Sequence, residues 1–378
     1  MTTATKARKN KAYTVPAAVL RQALRTVAPA VLGKHATLSH VFIGNVVEAT
    51  NGDLRISVDV GWFDQPVLVP YDRLNQIVAA VTDEDIRLAV EGESLEIRTA
   101  RGQWRLPTAD AAEWPARPER DARPLLRLPA DQFCRCVSGV IDATDTASSR
   151  YALGGVLVEH RGPSVAFVAT DGRRLHVALA EIDQATNDAA VVVPERAMAT
   201  ISRVAAGHPD EAVQLELAGS ELLADIADVT ISVRLLDGRF PKWLEVIPKA
   251  LRPEFGSDDV PYREPPQHAE IAVGELVAAV RQAAIVTSEQ SKAVAFGFYD
   301  QTLTLTSQSA EGGQATVDCD LSQAGPACSV RLDPGFVLAW LKPLDSEAVV
   351  EIYATDGQSA VVLQHDDQLG VVMPMAAD

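Results

Sequence analysis

Short apolar runs alternating with polar residues recur along the whole chain. Six of them lead through a proline or glycine into apolar positions at helical spacing. The first half carries AYTVPAAVLRQALRTVA from Ala12, QPVLVPYDRLNQIVAAV from Gln65 and PLLRLPADQFCRCVSGVI from Pro124. The second half carries AAVVVPERAMATISRVAAG from Ala189, AEIAVGELVAAVRQAAIV from Ala269 and CSVRLDPGFVLAWLKPL from Cys328. Proline fixes φ and lacks an N–H, so it ends a strand and suits the first turn of a helix. In the fifth unit Gly274 stands in its place, and in the sixth Pro334 comes one residue late. After the break, Leu20, Leu24 and Val27 fall on one helical face, as do Leu74, Ile77, Val78 and Val81. Phe133, Val137, Val140 and Ile141 repeat the pattern, and Met198, Ile201 and Val204 continue it.

Between these helices the period changes to two, in LRISVDV, SLEIRTA, VQLELAG, LLADIADVTISVRLL and SAVVLQ, which predict strands. One helix and a few strands do not close a core, but two such units back to back do. Pro-rich stretches at Trp114–Pro124 and Leu251–Gln267 read as linkers. The expected organisation is therefore α+β, with three similar domains of two units each: residues 1–122, 123–252 and 266–378, and a linker at 253–265.

The stretch FVATDGRRLHVALAEI from Phe167 places Thr-Asp-Gly between two strand-like runs and predicts a hairpin. Similar tetrapeptides at Ala49–Gly52 and Ala354–Gly357 argue for a turn rather than a unique catalytic loop. Asp171, Arg174 and His176 would form an acid/base group only if the turn exposed them together.

Composition narrows the function further. Hydrophobic residues make up 47% and charged residues 22%, as expected of a folded chain without an apolar run of membrane-spanning length. The start MTTATKARKNK has no apolar core and reads as a flexible tail. Cys134, Cys136, Cys319 and Cys328 lack zinc spacing, and no histidines pair at H-x-x-x-H, so neither a metal nor a cofactor is expected. Few cysteines suit a reducing cytoplasm. No phosphate-binding G-x-x-x-x-G-K-[ST] and no G-x-S-x-G is present, which leaves little support for an enzyme.

A formal net charge of −17 argues against a protein that grips DNA by affinity, but not against one that holds it by topology. The distribution of cations matters more than their sum. Each repeated helix carries at least one: Arg21 and Arg25 on a shared stripe, then Arg73, Arg135, Arg196 with Arg203, Arg281, and Lys342. Twelve helices about 10 Å apart in a circle give an axis-to-axis diameter of about 38 Å and an opening of roughly 28 Å, wider than a DNA duplex. One chain offers six such helices, so two chains would complete the ring.

The motifs ATDGRRL (Ala169–Leu175), LLDGRFPKWLEVIPK (Leu235–Lys249) and VVMPM (Val371–Met375), with RYALGGVLVE and VVVPERAMATI, resemble the bacterial β sliding clamp family in order and spacing. The resemblance implies a head-to-tail homodimeric ring of clamp domains, helices lining the pore and sheets outside. It implies no catalysis: the ring encircles duplex DNA and tethers DNA polymerase and clamp-loader subunits through their short linear peptides. It places Leu153, Thr170, Gly172, Arg173, Arg174, Leu175, Pro241, Val246, Val371, Met373, Pro374 and Met375 in a hydrophobic peptide groove. Lys34 and Tyr151 fall at DNA-facing positions of the family. Helical face adds Arg21, Arg25, Arg73, Arg135, Arg203 and Arg281. The chain departs from the family pattern at Glu245, in the span from Asp59 to Val67, in the 251–267 linker, and in the Ala376–Asp378 ending. A clamp-fold interaction protein, binding peptides without being loaded on DNA, is the competing expectation.

Overall fold

All six strand–break–helix segments form, as α1 (Ala17–Val27), α2 (Tyr71–Ala80), α3 (Ala130–Val140), α4 (Glu195–Ala206), α6 (Val273–Ala284) and α7 (Pro334–Leu341). A further one-turn helix, α5 (Trp243–Val246), was not expected from the sequence. This computed structural model describes residues 11–61, 63–82, 85–117, 121–145, 147, 152–182, 188–253, 255, 266–288, 292–310 and 312–376.

Pro16, Pro70, Pro129 and Pro194 stand at the N-caps of α1, α2, α3 and α4, with φ from −51° to −60° and extended ψ. Each is the last residue of a strand and the hinge into its helix. In the fifth unit the corresponding position is Ala272, the strand end and N-cap with φ −65°, and not Gly274, which is the second residue of α6 and whose N–H donates to Ser346 O at 2.9 Å. Pro334 sits one residue later because Asp333 takes the cap, accepting from Gly335 N at 2.8 Å.

The chain divides into two compact units, one of residues up to Pro124 with Glu211–Arg234, the other of Leu125–Asp210 with Leu235–Asp378. In the first unit, Ala12–Pro16, Asp85–Glu91, Ser94–Arg98 and Gln103–Pro107 form one antiparallel sheet in that order. A second sheet runs Val67–Pro70, His40–Ile43, Val46–Thr50, Leu54–Asp59, Val229–Arg234, Glu221–Ile226, Ala212–Ala218. The run LLADIADVTISVRLL, which reads as continuous, is two strands here. Ala227 turns the chain at φ 50°, a left-handed conformation that its side chain does not announce.

In the second unit one sheet runs Ala189–Pro194, Gly155–Arg161, Ser164–Thr170, Arg174–Glu181, Gln368–Val372, Val361–His365, Val349–Tyr353, Ala269–Ala272. Its central join pairs Leu175 with Val371 and Val177 with Leu369. The other sheet runs Gly313–Asp320, Thr302–Ser309, Val294–Tyr299, Cys328–Leu332. Of the expected helix faces, Leu20, Leu24 and Val27, Leu74, Val78 and Val81, Phe133, Val137 and Val140, and Met198 and Ile201 are buried, while Ile77, Ile141 and Val204 are only half-buried; α6 and α7 bury Leu276, Val280 and Trp340. No helix among the described residues is long and apolar enough to cross a membrane.

Candidate functional site

Alternation along Arg174–Glu181 and Gln368–Val372 puts Leu175, Val177, Leu369 and Val371 on the sheet face turned away from α3 and α7. There they pack with Trp243, Ile247 and Phe255. The segment around α5 covers part of this apolar surface and leaves an open groove of about 120 Å3 beside it.

Thr170, Gly172, Arg173, Arg174 and Leu175 from the hairpin line one side of the groove. Leu153, Val371 and Met373 contribute from neighbouring segments, and Pro241, Trp243 and Val246 form the opposite wall. Ten of the twelve positions that the family resemblance singled out thus meet in one groove. Pro374 and Met375 are half-buried and do not line it; the Met375 N–H instead donates to Arg331 O at 2.8 Å. Trp243 lines the groove although the sequence reading passed over it. Its signal was an aromatic residue between Pro241 and Val246 in a segment already marked as a motif.

The expected hairpin forms, closed by a longer loop than the shortest Asp-Gly turn. Thr170 pairs with Leu175, which leaves four residues between them. Only Gly172 has positive φ, 84°. Asp171 Oδ1 accepts from Arg173 N at 2.9 Å and Arg174 N at 3.0 Å, while Thr170 Oγ1 accepts from Gly172 N at 3.1 Å. The loop at Thr50–Leu54 repeats these bonds, with Asn51 in the part of Asp171. At Ala354–Gly357 the chain instead forms a longer connection, where Asp356 Oδ1 accepts from Gln358 N and Ser359 N.

The polar residues beside the groove are tied to one another. Arg174 Nε lies 3.2 Å from Asp171 Oδ2, Arg174 Nη2 donates to Asp142 O, and the guanidinium lies 4.6 Å from the centre of the Phe336 ring. His176 points to the helix side, fully buried, with Nδ1 donating to Gly139 O at 3.2 Å. Burial, and then the nearby Arg174 charge, hold its pKa down at about 3, so it stays neutral. Asp171, Arg174 and His176 therefore do not share an open site. Glu245 and Lys242 pair at 2.7 Å on the exposed rim, and the Lys242 hydrogen bond keeps the Glu245 carboxyl below its usual range.

On the repeated helices, Arg25, Arg73, Arg203 and Arg281 are exposed, as is Lys34 in the loop after α1. Arg21 is not free, because its guanidinium donates to Val78 O at 3.4 Å and to Val81 O, satisfying carbonyls at the end of α2. Arg135 pairs with Asp367 at 3.0 Å, and Lys342 with Asp142 at 2.8 Å. Tyr151 lies outside the described residues. Among the described residues no group of three His, Cys, Asp or Glu could hold a metal ion.

Comparison with known proteins brings this geometry together with a family. The model described as DNA polymerase III beta subunit, central domain, matches residues 127–242, and that of the C-terminal domain matches residues 261–376. The beta sliding clamp of Escherichia coli strain K12 is 27% identical over 294 residues, covering 77% of this chain and 76% of the relative. That of Chlamydia pneumoniae is 24% identical over 311 residues, covering 82% and 81%. In fold, the chain is similar to the DNA polymerase III subunit beta of Pseudomonas aeruginosa, with TM-score 0.87, 22% identity, and coverage of 97% of this chain and 100% of the other. The sliding clamp of Bacillus subtilis matches with TM-score 0.87 at 17% identity, covering 98% and 100%.

Proposed function

Because the chain belongs to the DNA polymerase III beta-subunit family, we propose that it is a DNA sliding clamp with three clamp domains, at 1–122, 123–252 and 266–378. Two chains close head to tail around duplex DNA in the cytoplasm. The groove takes short linear peptides of DNA polymerase and clamp-loader subunits. The protein has no chemistry of its own to perform. It keeps partners at a high effective concentration beside the template.

The observation that carries this reading is the groove, which ten motif residues from four separate stretches of sequence line together. Its exposed lips, Val246 and Met373, are apolar and adaptable, which suits a surface serving several partners. Ring closure is supported by two sheet edges that have no strand partner among the described residues. Gln103–Pro107, with Arg105, ends one sheet of the first unit, and Gly313–Asp320, with Asp318 and Asp320, ends one of the second. Backbone groups on two such edges could pair in a heterologous contact, Arg105 being already paired with Glu91 at 3.0 Å. Exposed Arg25, Arg73, Arg203 and Arg281 supply the weak phosphate contacts that sliding needs.

Sedimentation equilibrium followed by loading on nicked circular DNA tests the reading. The expected species is twice 40.4 kDa, retained on circles at high salt and lost when the circle is cut. Release from intact circles by salt alone would overturn encirclement. The alternative, a clamp-fold paralogue that binds peptides without being loaded, draws support from the internal satisfaction of Arg21, Arg135 and Lys342. A monomer that binds peptide and leaves DNA unbound would establish it.

A further inference from the structure

The lining of the groove is electrically unlike the rest of the molecule. In a chain of formal net charge −17, it contains two arginines and no carboxylate. Those two arginines are in different states. Arg174 is 14% exposed in its side chain and committed to Asp171, to Asp142 O and to the face of Phe336. Arg173 is exposed, and among the described residues no carboxylate pairs with its side chain. The neighbouring Asp171 carboxylate is already occupied by Arg173 N, Arg174 N and Arg174 Nε.

The Arg173 guanidinium is nonetheless positioned. Its carbon lies 5.0 Å from the centre of the Phe336 ring, and its backbone is pinned on both sides. The N–H donates to Asp171 Oδ1 at 2.9 Å, and the carbonyl accepts from Met373 N at 2.9 Å. A guanidinium held near an aromatic ring and paired with no carboxylate among the described residues has N–H donors to offer, and their fork matches the two oxygens of a carboxylate. Arg173 lines the groove together with Leu175, Val371 and Met373, so a ligand seated on those residues shares its space with the guanidinium.

We propose that Arg173 is a specificity-determining residue of the groove, selecting apolar peptides that carry a carboxylate where they meet its guanidinium. The inference rests on the peptide-groove reading above. An acidic side chain and a chain-terminal carboxylate present the same chemistry, and the experiment separates them. Apolar contacts supply most of the affinity, while the carboxylate sets register and direction, since a lone exposed ion pair contributes little by itself.

The test uses the full chain and a tiled set of short peptides from the replicative polymerase of the source cell, read by fluorescence anisotropy. The tightest binder is then made with each acidic residue changed to its amide, and with its terminus free or amidated. Arg173→Gln is expected to weaken the acidic peptide about fivefold, and the amide that removes the critical carboxylate to weaken it equally, with no further loss when both are combined. Arg173→Glu with a lysine at the critical peptide position should restore binding. Sensitivity to terminal amidation alone assigns the contact to a chain terminus, and sensitivity to one side-chain amide assigns it to that residue. Equal loss by Arg173→Gln for acidic and amide peptides would overturn the inference and leave the groove standing. A wild-type chain that binds none of the peptides would overturn the groove reading, and this inference with it.

Discussion

Glu159 accepts a hydrogen bond from the indole of Trp243, Nε1 to Oε2 at 2.7 Å, and this bond closes a cycle around the groove wall. Trp243 packs edge-on against Phe255 at 5.5 Å. Arg161 lies 5.3 Å from the Phe255 ring centre, and its Nη2 returns to Glu159 Oε1 at 2.6 Å. A helix of one turn has no stability alone, so α5 depends on such anchoring. The first unit uses the same device: Trp114 Nε1 donates to Glu48 Oε1 at 2.7 Å, and Arg55 and Arg117 complete the carboxylate.

Loss of the Glu159 acceptor should therefore loosen the groove wall. Glu159→Leu leaves a buried indole N–H unpaired, at a cost of about 1–3 kcal/mol. Hydrogen exchange at residues 243–247 is expected to accelerate and peptide affinity to fall. Glu159→Gln, which keeps a carbonyl oxygen for the indole, should stay near wild type. Unchanged exchange in the leucine variant would show that packing alone fixes the wall.

The exposed lips can be truncated without harming the fold. Val246 is 47% and Met373 43% exposed, so their replacement by alanine removes little burial within the free chain. The double variant should keep its thermal midpoint and lose about tenfold in peptide affinity, because those side chains become buried only against a partner. Calorimetric titration beside a thermal scan checks both halves. Wild-type affinity in that variant would place the peptide elsewhere.

For DNA, the structure separates two neighbouring arginines. Charge reversal at Arg25, Arg203 and Arg281 together should shorten retention on nicked circles and reduce its salt dependence, while the oligomeric mass is preserved. Arg21→Glu should instead act on stability, by about 1–3 kcal/mol, because it removes the donor for Val78 O and Val81 O. A fold of unchanged stability in that variant would contradict the capping role.

Acid should weaken the two units for different reasons. Burial raises the Glu48 pKa, but hydrogen bonds from Ser57 and Trp114 and the charges of Arg55 and Arg117 outweigh it and hold the carboxyl below 4.5. Its contribution is thus present above pH 4.5 and is lost as pH falls through the lower folded value. His176, held at about 3 against an ordinary 6.5, binds a proton between those values only when unfolded, so stability there falls as the solution is acidified. Urea midpoints measured against pH should flatten below pH 4.5 in Glu48→Gln and between about pH 6.5 and pH 3 in His176→Gln. Parallel curves for variant and wild type would exclude these groups.

The elements most legible in the sequence were those whose signal is local. Pro16, Pro70, Pro129 and Pro194 announce helix starts because φ restriction acts on a single residue. Ala227 was illegible, since alanine carries no turn signal, yet it sits in the two-residue turn between paired Ile226 and Val229, where a positive φ is needed. The groove positions came from motif resemblance and converge in space, whereas Trp243 matters through Glu159, a residue from a distant strand. Helical spacing placed Arg21 and Arg25 on one stripe but could not reveal that Arg21 reaches the end of α2, because that contact depends on how two helices pack.

The pairing of Leu175 with Val371 also sets a sequence of events in time. As the ribosome emits the chain, the strand Arg174–Glu181 appears first, and its partner Gln368–Val372 follows roughly two hundred residues later. At bacterial or eukaryotic translation speeds that is a delay of roughly ten to forty seconds. Throughout it the earlier strand has one unpaired edge, and neither Val371 nor Met373 is available to meet Leu175. In a nascent or prematurely stopped chain the groove consequently lacks Val371 and Met373. The groove is thus complete only when the chain is nearly finished.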